Sequence, residues 1–379
     1  MRRSAQGDNV GRLRRFVTCL VVALLVAPRP AGAYSVLAHE SNIDALWDAQ
    51  IRPLLLAKYP GTSTGALAEA RAYAYGGSVI QDLGYFPFGN KFFTNLLHYV
   101  KTGDFVQAML RDAQDVDEYA FAIGALCHYT SDAQGHSIAV NLAVPLIYPK
   151  LRKRFGASVP YDKAPKEHLM VEFAFDVLLV ANGGYKLQAY HDFIGFKVAK
   201  PLLERAFRET YGLEMKDLFL SEDLALGTYR HAVGTTIPNV TKVAWEKKQD
   251  QIQKTTPDAL EQKFVLTLPR TAYEQEYGTD YAKPHGFARV IGFLYGLLPK
   301  IGPLRPLAFR VPTPEAEALF LDSLTRTRAR FGDVLRSARS GQLQLPNIDL
   351  DTGKPTSPGE SALADTTLAE LKKRTPRSH

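Results

Sequence analysis

Residues 121–136 read FAIGALCHYTSDAQGH and combine an apolar helical pattern with three polar side chains. His128, Asp132 and His136 follow one another at intervals of four residues. Each interval turns an α-helix by only about 40°, so all three side chains share one face. Two imidazoles and a carboxylate on an inward face are costly unless a partner neutralises them. Either a hydrogen-bonded His–Asp pair or a divalent metal such as zinc satisfies this pattern, and the spacing leaves both open.

The same four-residue spacing recurs downstream, where His168 and Glu172 lie in the segment EHLMVE. Most other segments also show helical periodicity of apolar residues. The chain contains no strand-rich region, no GxSxG nucleophile motif and no glycine-rich phosphate loop. These patterns predict an all-α, multi-helix bundle.

Residues 1–33 read as a secretory signal. Three arginines precede an apolar run at 16–27, which is too short for a normal membrane span, and the small residues Ala-Gly-Ala follow. Cleavage after Ala33 would make Tyr34 the new N-terminal residue. We therefore expect an exported protein, periplasmic or secreted, with an uncleaved anchor as the alternative.

The net charge of +7 does not indicate a nucleic-acid partner. The leader carries six arginines and one aspartate, a balance of +5, which leaves +2 for the remaining residues. Only two cysteines occur, and Cys19 lies in the leader, so the remainder has no internal disulfide. On a helix Cys127 points about 100° away from His128 and is interpreted as a small buried residue.

The sequence predicts three regions after the leader. Residues 34–190 would form the catalytic core, and residues 191–340 a helical extension packed on it. Residues 341–379 are rich in Pro, Ser, Thr and Gly and are predicted to be a flexible tail. Residues 286–311 mix apolar and basic side chains, which fits either a peripheral membrane-surface contact or a buried helix pair.

Nine polar positions stand out when the chain is taken in order: Tyr34, His39, Asp82, His98, His128, Asp132, His136, His168 and Glu172. Their order, residue types and approximate spacing resemble the zinc-dependent phospholipase C family, and more distantly the zinc nucleases that share its fold. The resemblance covers roughly residues 34–180. It implies an all-α enzyme that holds three zinc ions in one cleft.

The resemblance also implies which residues bind two of these ions: His98, His128 and Asp132 for the first, and His136, His168 and Glu172 for the second. Asp82 would be a further ligand of the first ion or the base beside the attacking water. The third ion would be held by His39, by Asp132 as a bridge, and by the amino nitrogen and carbonyl oxygen of the N-terminal residue. That residue is typically tryptophan in the family and would be Tyr34 here.

The spacing of the first ligands agrees with the signal cleavage site. If Tyr34 is residue one of the processed chain, His39 is residue six, as in the nuclease branch. An α-amino group binds metal only when it is free and deprotonated. Export and formation of the third zinc site would therefore be linked.

We predict an exported zinc-dependent phosphodiesterase, a phospholipase C that cleaves the glycerol–phosphate bond of phospholipids with zinc-activated water. No stable protein partner is predicted. The alternatives are a trinuclear-zinc nuclease or a phosphomonoesterase on the same fold, or a non-enzymatic exported helical protein with structural metal. Structural zinc usually has closed, cysteine-rich ligand sets, which favours catalysis for this His and carboxylate set.

Aromatic residues near Asp82 are candidate substrate contacts. They are Tyr85, Phe86, Phe88, Phe92 and Phe93. Aromatic rings hold a choline head group by cation–π contact, and packing of the loop on the core is the alternative. Leu83 directly follows Asp82, where choline-preferring members of the family have an aromatic residue, so a choline preference does not follow.

Overall fold

The computed structural model describes four ranges of the chain: 36–181, 197–231, 309–359 and 361–375. Within these ranges the regular structure is helical, apart from one isolated antiparallel bridge between Ile348 and Pro355. The prediction of an all-α fold is confirmed.

Thirteen α-helices occur in the described ranges, numbered here in chain order: α1 (Val36–Leu46), α2 (Arg52–Lys58), α3 (Thr64–Val79), α4 (Lys91–Tyr99), α5 (Thr102–Asp112), α6 (Val116–Gly135), α7 (Asn141–Ile147), α8 (Pro149–Phe155), α9 (Pro165–Ala181), α10 (Lys200–Tyr211), α11 (Glu222–His231), α12 (Pro314–Arg339) and α13 (Ala362–Arg374). Four short helical segments of 3₁₀ or π geometry accompany them: Trp47–Ile51, Ile80–Tyr85, His136–Val140 and Met215–Asp217.

Helices α3 and α6 form the centre of the fold and approach each other very closely. A Cβ atom on Gly77 would lie 1.9 Å from the carbonyl oxygen of Phe121, and one on Gly124 would lie 2.1 Å from that of Ala74. Only glycine allows two helix backbones to come this near. The contact brings the carboxyl end of α3 against the middle of α6, where the first histidine of the central motif lies.

Helix α6 starts at a clear local signal and continues into an irregular turn. The Asp115 side chain accepts a hydrogen bond from the backbone N–H of Glu118 at 2.8 Å and caps the helix. Asp117 in the first turn adds negative charge where the helix dipole favours it. At its other end α6 runs directly into the π segment His136–Val140 and then into α7. Single π turns often mark functional sites.

Two hydrophobic cores flank this transition. The larger core surrounds α3 and α6 and includes the fully buried rings of Phe93 and Phe121. The smaller core joins α7, α9 and the start of α12, where the rings of Phe175 and Phe320 stack with centroids 4.5 Å apart. The polar motif of α6 therefore lies where one core gives way to the other.

The prediction of a flexible tail is wrong for the described residues after position 340. Leu345, Leu350 and Leu371 are buried, and α13 packs against α4. Ser361 caps α13 by accepting a hydrogen bond from the N–H of Ala364 at 3.2 Å. These three leucines are too widely spaced in the sequence to form a helical or strand pattern, but each packs in the larger hydrophobic core.

Several other sequence predictions fall partly or wholly on residues that are not described. The leader at 1–33, Tyr34 and the proposed lipid-contacting residues 286–308 lie outside the described residues. Of the predicted helical extension, α10, α11 and α12 are described. Among the described helices, none has the length and apolar character needed to cross a membrane.

Candidate metal centre

The structure brings eight of the nine predicted ligands into one buried region: His39, Asp82, His98, His128, Asp132, His136, His168 and Glu172. Each of these residues is no more than 3% exposed. The ninth, Tyr34, lies outside the described residues. These side chains come from α1, α4, α6, α9 and two of the short helical segments, so the site depends on the whole helical core.

Asp132 lies at the centre of the first part of this region. Its carboxylate oxygens lie 3.3 Å from Nε2 of His39, 3.3 Å from Nε2 of His98, 3.0 Å from Nε2 of His128 and 3.5 Å from Nε2 of His136. The contacts to His128 and His136 follow from the four-residue spacing along one helical face. The contacts to His39 and His98 are tertiary.

Two histidine rings are oriented by backbone carbonyl groups. Nδ1 of His98 lies 2.8 Å from the carbonyl oxygen of Thr94, and Nδ1 of His128 lies 2.9 Å from that of Ser78. A carbonyl group only accepts, so both Nδ1 atoms carry hydrogen and donate. The two Nε2 atoms then face each other at 3.3 Å. Such paired nitrogen lone pairs, beside carboxylates, fit a shared cation.

Asp82 completes this first part from the 3₁₀ segment that follows α3. Its Oδ1 atom lies 3.3 Å from Nε2 of His98, and no hydrogen bond to that oxygen is present in the described residues. The Thr94 hydroxyl fixes the segment, because it accepts a hydrogen bond from the N–H of Gly84 at 2.7 Å and donates one to the carbonyl of Gln81 at 2.8 Å.

The second part of the region joins α9 to the π segment. Oε1 of Glu172 lies 2.8 Å from Nδ1 of His168 and 3.6 Å from Nδ1 of His136. On its other side, Nε2 of His168 lies 2.8 Å from Oδ1 of Asn141. The pair His168 and Glu172 is thus an i, i+4 pair whose polar atoms face the end of α6.

The donor atoms form three groups whose members lie within 4.8 Å of one another: His39 with His128 and Asp132, Asp82 with His98 and His128, and His136 with His168 and Asp351. His128 belongs to two groups. The third group contains Asp351, and the predicted Glu172 lies next to this group through its contacts with His136 and His168. Nitrogen and carboxylate donors around a tetrahedral zinc are about 3.3 Å apart, given bond lengths of about 2.0–2.1 Å. The residues present therefore fit zinc.

The charges of the cluster shift the pKa values of its members in opposite directions. Burial alone would raise the pKa of Asp132, but the imidazoles of His128 and His136 outweigh it and hold that pKa well below its usual range. Burial lowers the pKa of His98, yet the adjacent carboxylates of Asp132 and Asp82 prevail and raise it to about 10. Without a metal ion, protons supply the positive charge that the carboxylates require.

Carboxylates also raise the pKa of a histidine in the second part of the region. Burial lowers the pKa of His168, but Glu172 and Asp351 outweigh it and raise that pKa to about 9. By contrast, burial and the neighbouring His128 lower the pKa of His39, so its ring is neutral and able to bind a metal.

The predicted substrate aromatics fall into two sets. The buried Tyr85 ring lies beside the cluster, with its centroid 6.0 Å from that of His98. The Phe86 ring packs edge-on against Tyr229 at 4.9 Å, and Arg374 of α13 covers the Phe92 ring at 4.8 Å.

The other two aromatic candidates, Phe88 and Phe93, differ in burial. Phe88 is partly buried in the loop with a left-handed φ of 63°. Phe93 is fully buried and packs on Phe207 and Phe219 at centroid distances of 5.2 Å. Of the five predicted aromatics, Tyr85 is the one with a ring contact to a cluster histidine in the described residues.

Cys127 is fully buried next to the cluster without belonging to any of its metal-ligand groups. Its Sγ atom lies 3.7 Å from the carbonyl oxygen of His39 and 3.7 Å from Oγ of Ser131. Burial raises the pKa of this thiol to about 12, which keeps it protonated and unreactive.

Sequence reasoning missed three residues of this region. Asp351 reaches it from the loop between α12 and α13, Asn141 lies at the start of α7, and the Tyr161 ring packs edge-on to His168 at 5.6 Å. None of them belongs to a local motif. The one signal is that Asp351 alternates with apolar residues just before Gly353, which is typical of an anchored turn.

Comparison with known protein families gave a match. Residues 45–220 match the family model described as zinc dependent phospholipase C. The match contains Asp82 and Glu172, but it starts after His39 and ends before Asp351. Comparisons with curated proteins and with solved structures gave no match. The family resemblance predicted from sequence is confirmed for this part of the chain.

Proposed function

We propose that this protein, whose residues 45–220 match the zinc-dependent phospholipase C family, is an exported phosphodiesterase that cleaves phospholipids. The observation that carries the proposal is the pair of histidines at the centre of the site. Nε2 of His98 and Nε2 of His128 face each other at 3.3 Å, while backbone carbonyls occupy both Nδ1 atoms. Three carboxylate contacts at 3.0–3.3 Å surround this pair.

Under this proposal three zinc ions are held as follows: the first by His98, His128 and Asp132 with Asp82 beside it as the base, the second by His136, His168 and Glu172, and the third by His39, Asp132 and the N-terminal Tyr34. Bound zinc would lower the pKa of water to near neutrality and offset the negative charge of a phosphodiester. Oδ1 of Asp82 lies 3.3 Å from Nε2 of His98, at the edge of this first ion, and would take up the proton of the attacking water.

The start of α1 supports a role for the N-terminal residue. The Asp176 carboxylate accepts hydrogen bonds from the N–H groups of Leu37 and Ala38, both at 3.2 Å. This ties the first turn of α1 to α9, the helix that carries the second ligand pair. Tyr34 precedes Leu37 by three residues in the sequence, and the proposal assigns its free amino group to the third ion together with His39.

Processing should therefore change the metal content. A precursor form with extra residues before Tyr34 is expected to bind about two zinc ions, because its amino group lies elsewhere and cannot bind the third ion. Elemental analysis of precursor and processed protein, each with its N-terminus verified by intact mass, measures the difference. Three zinc ions in the precursor would contradict the link.

Phospholipid is the substrate class that the observations support best. The chain after the leader is nearly neutral, which gives no electrostatic basis for binding a polyanion. Beside the cluster, the rings of Tyr85 and Tyr161 lie 6.1 Å apart and contact His98 and His168, respectively. This aromatic pair spans the two parts of the site and presents ring faces that can hold a cationic lipid head group by cation–π contact.

The experiment is a substrate panel with the processed protein. Phosphatidylcholine, phosphatidylethanolamine, single-stranded nucleic acid and a phosphomonoester would be tested before chelation, after chelation and after addition of Zn²⁺. We expect zinc-dependent release of diacylglycerol and a phosphorylated head group. Unchanged lipid hydrolysis after complete removal of metal would contradict the zinc mechanism. Zinc-dependent cleavage of nucleic acid or the monoester alone would contradict the substrate class, and zinc binding without any hydrolysis would indicate structural metal.

A further inference from the structure

The loop between α12 and α13 places a carboxylate in the second part of the site. Oδ1 of Asp351 lies 3.5 Å from Nε2 of His168 and 4.0 Å from Nδ1 of His136. That oxygen accepts no hydrogen bond in the described residues, although the side chain is only 9% exposed. Its other oxygen accepts a hydrogen bond from the N–H of Tyr161 at 2.9 Å. One oxygen is therefore held in place and the other is directed at two histidines.

The hydrogen bonds of Asn141 determine which nitrogen of His168 can bind a metal. The Asn141 Nδ2 atom donates to the carbonyl oxygen of Asp351 at 2.7 Å, so its Oδ1 atom is the one that faces Nε2 of His168. Nε2 then carries a hydrogen that it donates to Asn141, so Nδ1, which faces Oε1 of Glu172 at 2.8 Å, is the nitrogen left for a metal. Either a proton or a metal ion at Nδ1 satisfies this contact.

The loop is anchored firmly enough to position a ligand. The N–H of Leu350 donates to the carbonyl of His98 at 2.9 Å, which connects the loop to the first part of the site. The Asp349 side chain accepts hydrogen bonds from the N–H groups of Asp351 at 2.9 Å and Thr352 at 3.0 Å. This local turn fixes the backbone on both sides of Leu350.

A glycine allows the loop to lie directly on α6. Gly353 has a φ of 69°, and a Cβ atom there would lie 2.8 Å from the carbonyl oxygen of Ala133. That carbonyl belongs to the turn between Asp132 and His136. A larger residue would therefore push the loop, and with it Asp351, away from the site.

We propose that Asp351 is a fourth protein ligand of the second ion, together with His136, His168 and Glu172. This inference rests on the proposed zinc centre and adds a ligand from outside residues 45–220, the part that matches the family. Four protein ligands fill the coordination of a tetrahedral zinc. Asp351 would thus restrict the access of water and substrate to the second ion, while the first ion keeps an open position.

The test compares zinc affinities of metal-free wild-type protein, Asp351→Asn and Asp322→Asn, by competition with a chromophoric chelator. Asp322→Asn is the matched control, because it makes the same substitution at an exposed position of α12 whose ion pair is with Arg326. We expect Asp351→Asn to weaken one bound ion by about 10–100-fold or more. The other ions, and all ions in Asp322→Asn, should stay within about threefold of wild type.

Three outcomes decide between the explanations. Equal zinc affinities in wild type and Asp351→Asn would overturn the ligand role while leaving the proposed function intact. A wild-type protein that binds no zinc would overturn the proposed function itself. If Asp351→Asn fails to fold by circular dichroism, amide hydrogen exchange of wild type decides: zinc should slow exchange of the Leu350 N–H, and an unchanged rate would overturn the proposal.

Discussion

Asp132 contacts four imidazoles that come from three separate segments of the chain. Its two oxygens lie within 3.0–3.5 Å of nitrogens of His39, His98, His128 and His136, and the residue is fully buried. No other carboxylate among the described residues has as many histidine contacts at these distances. At the residue scale, the site therefore depends on one negative charge surrounded by imidazoles.

Replacing this residue tests its role. Asp132→Asn keeps the size of the side chain but removes the charge, so we expect at least about a 100-fold loss of phospholipid hydrolysis and loss of bound zinc. Asp48→Asn is the matched control, because Asp48 is exposed and removal of its charge leaves the site untouched. Steady-state kinetics and metal analysis on both variants give the comparison. Wild-type activity in Asp132→Asn would show that this carboxylate is dispensable.

The titration of the histidines gives a second prediction at this scale. In the metal-free protein the pKa of His98 is raised to about 10 and that of His168 to about 9. Their contribution to stability is complete below the unfolded pKa of about 6.5 and is lost as the pH rises through these values. Zinc binding has the opposite dependence, because protons compete with the metal for the same nitrogens.

As the pH rises from 6.5 to 9.5, the free energy of unfolding of the metal-free protein should fall by up to about 1.4 kcal/mol per pH unit for each group. Its melting temperature should fall accordingly. Protein loaded with stoichiometric zinc should keep or raise its melting temperature over the same range. Calorimetric scans of both forms in matched buffers measure this. Parallel pH profiles for the two forms would rule out proton–metal competition at the site.

At the scale of elements, the crossing of α3 and α6 places the Ser78 carbonyl against His128. This contact depends on Gly77 and Gly124, whose missing side chains let the backbones touch. The sequence predicted the helices from their periodicity and the α6 ligands from their spacing, since both are local properties. It did not predict the crossing, because a glycine within a helical pattern does not identify its partner.

Gly77→Ala should destabilise the protein by about 3 kcal/mol or more and reduce zinc affinity. Its Cβ atom would lie 1.9 Å from the carbonyl oxygen of Phe121, so the two helices would have to separate and Ser78 would move away from His128. Gly65→Ala in the same helix is the control: the nearest atom to its Cβ is Oγ of Ser63 at 3.9 Å.

That control should change the free energy of unfolding by less than about 1 kcal/mol. Urea denaturation of the metal-free variants, followed by zinc titration, separates the effect on stability from the effect on the site. If Gly77→Ala matched Gly65→Ala in both measurements, the close helix contact would not be what orients His128.

At the scale of the whole molecule, the described residues after position 340 complete both the core and the site. Asp351 contacts His168 across a sequence separation that no local pattern reveals, and composition alone led to the prediction of a flexible tail for 341–379. The ligands in and next to α6, and those in α9, could be predicted because each is four residues from the next along the chain. Asp351 and Asn141 could not, because their positions follow from long-range packing.

The docking of α13 is expected to contribute to global stability. Leu371 is buried with 5% exposure, so Leu371→Ala should cost about 2–4 kcal/mol. Lys372→Ala is the neighbouring control, since that side chain is exposed and its loss should be nearly neutral. Chemical denaturation of both variants measures the difference. Equal stabilities would mean that α13 is not part of the cooperative fold.

The zinc content of the folded, processed protein tests the central claim most directly. The protein would be dialysed to remove loosely bound metal, its N-terminus verified by mass, and its zinc per chain determined by elemental analysis. The account predicts three ions per chain, with two of them held by the groups around His128 and His168. Fewer than two zinc ions per chain after reconstitution with excess Zn²⁺ would contradict it.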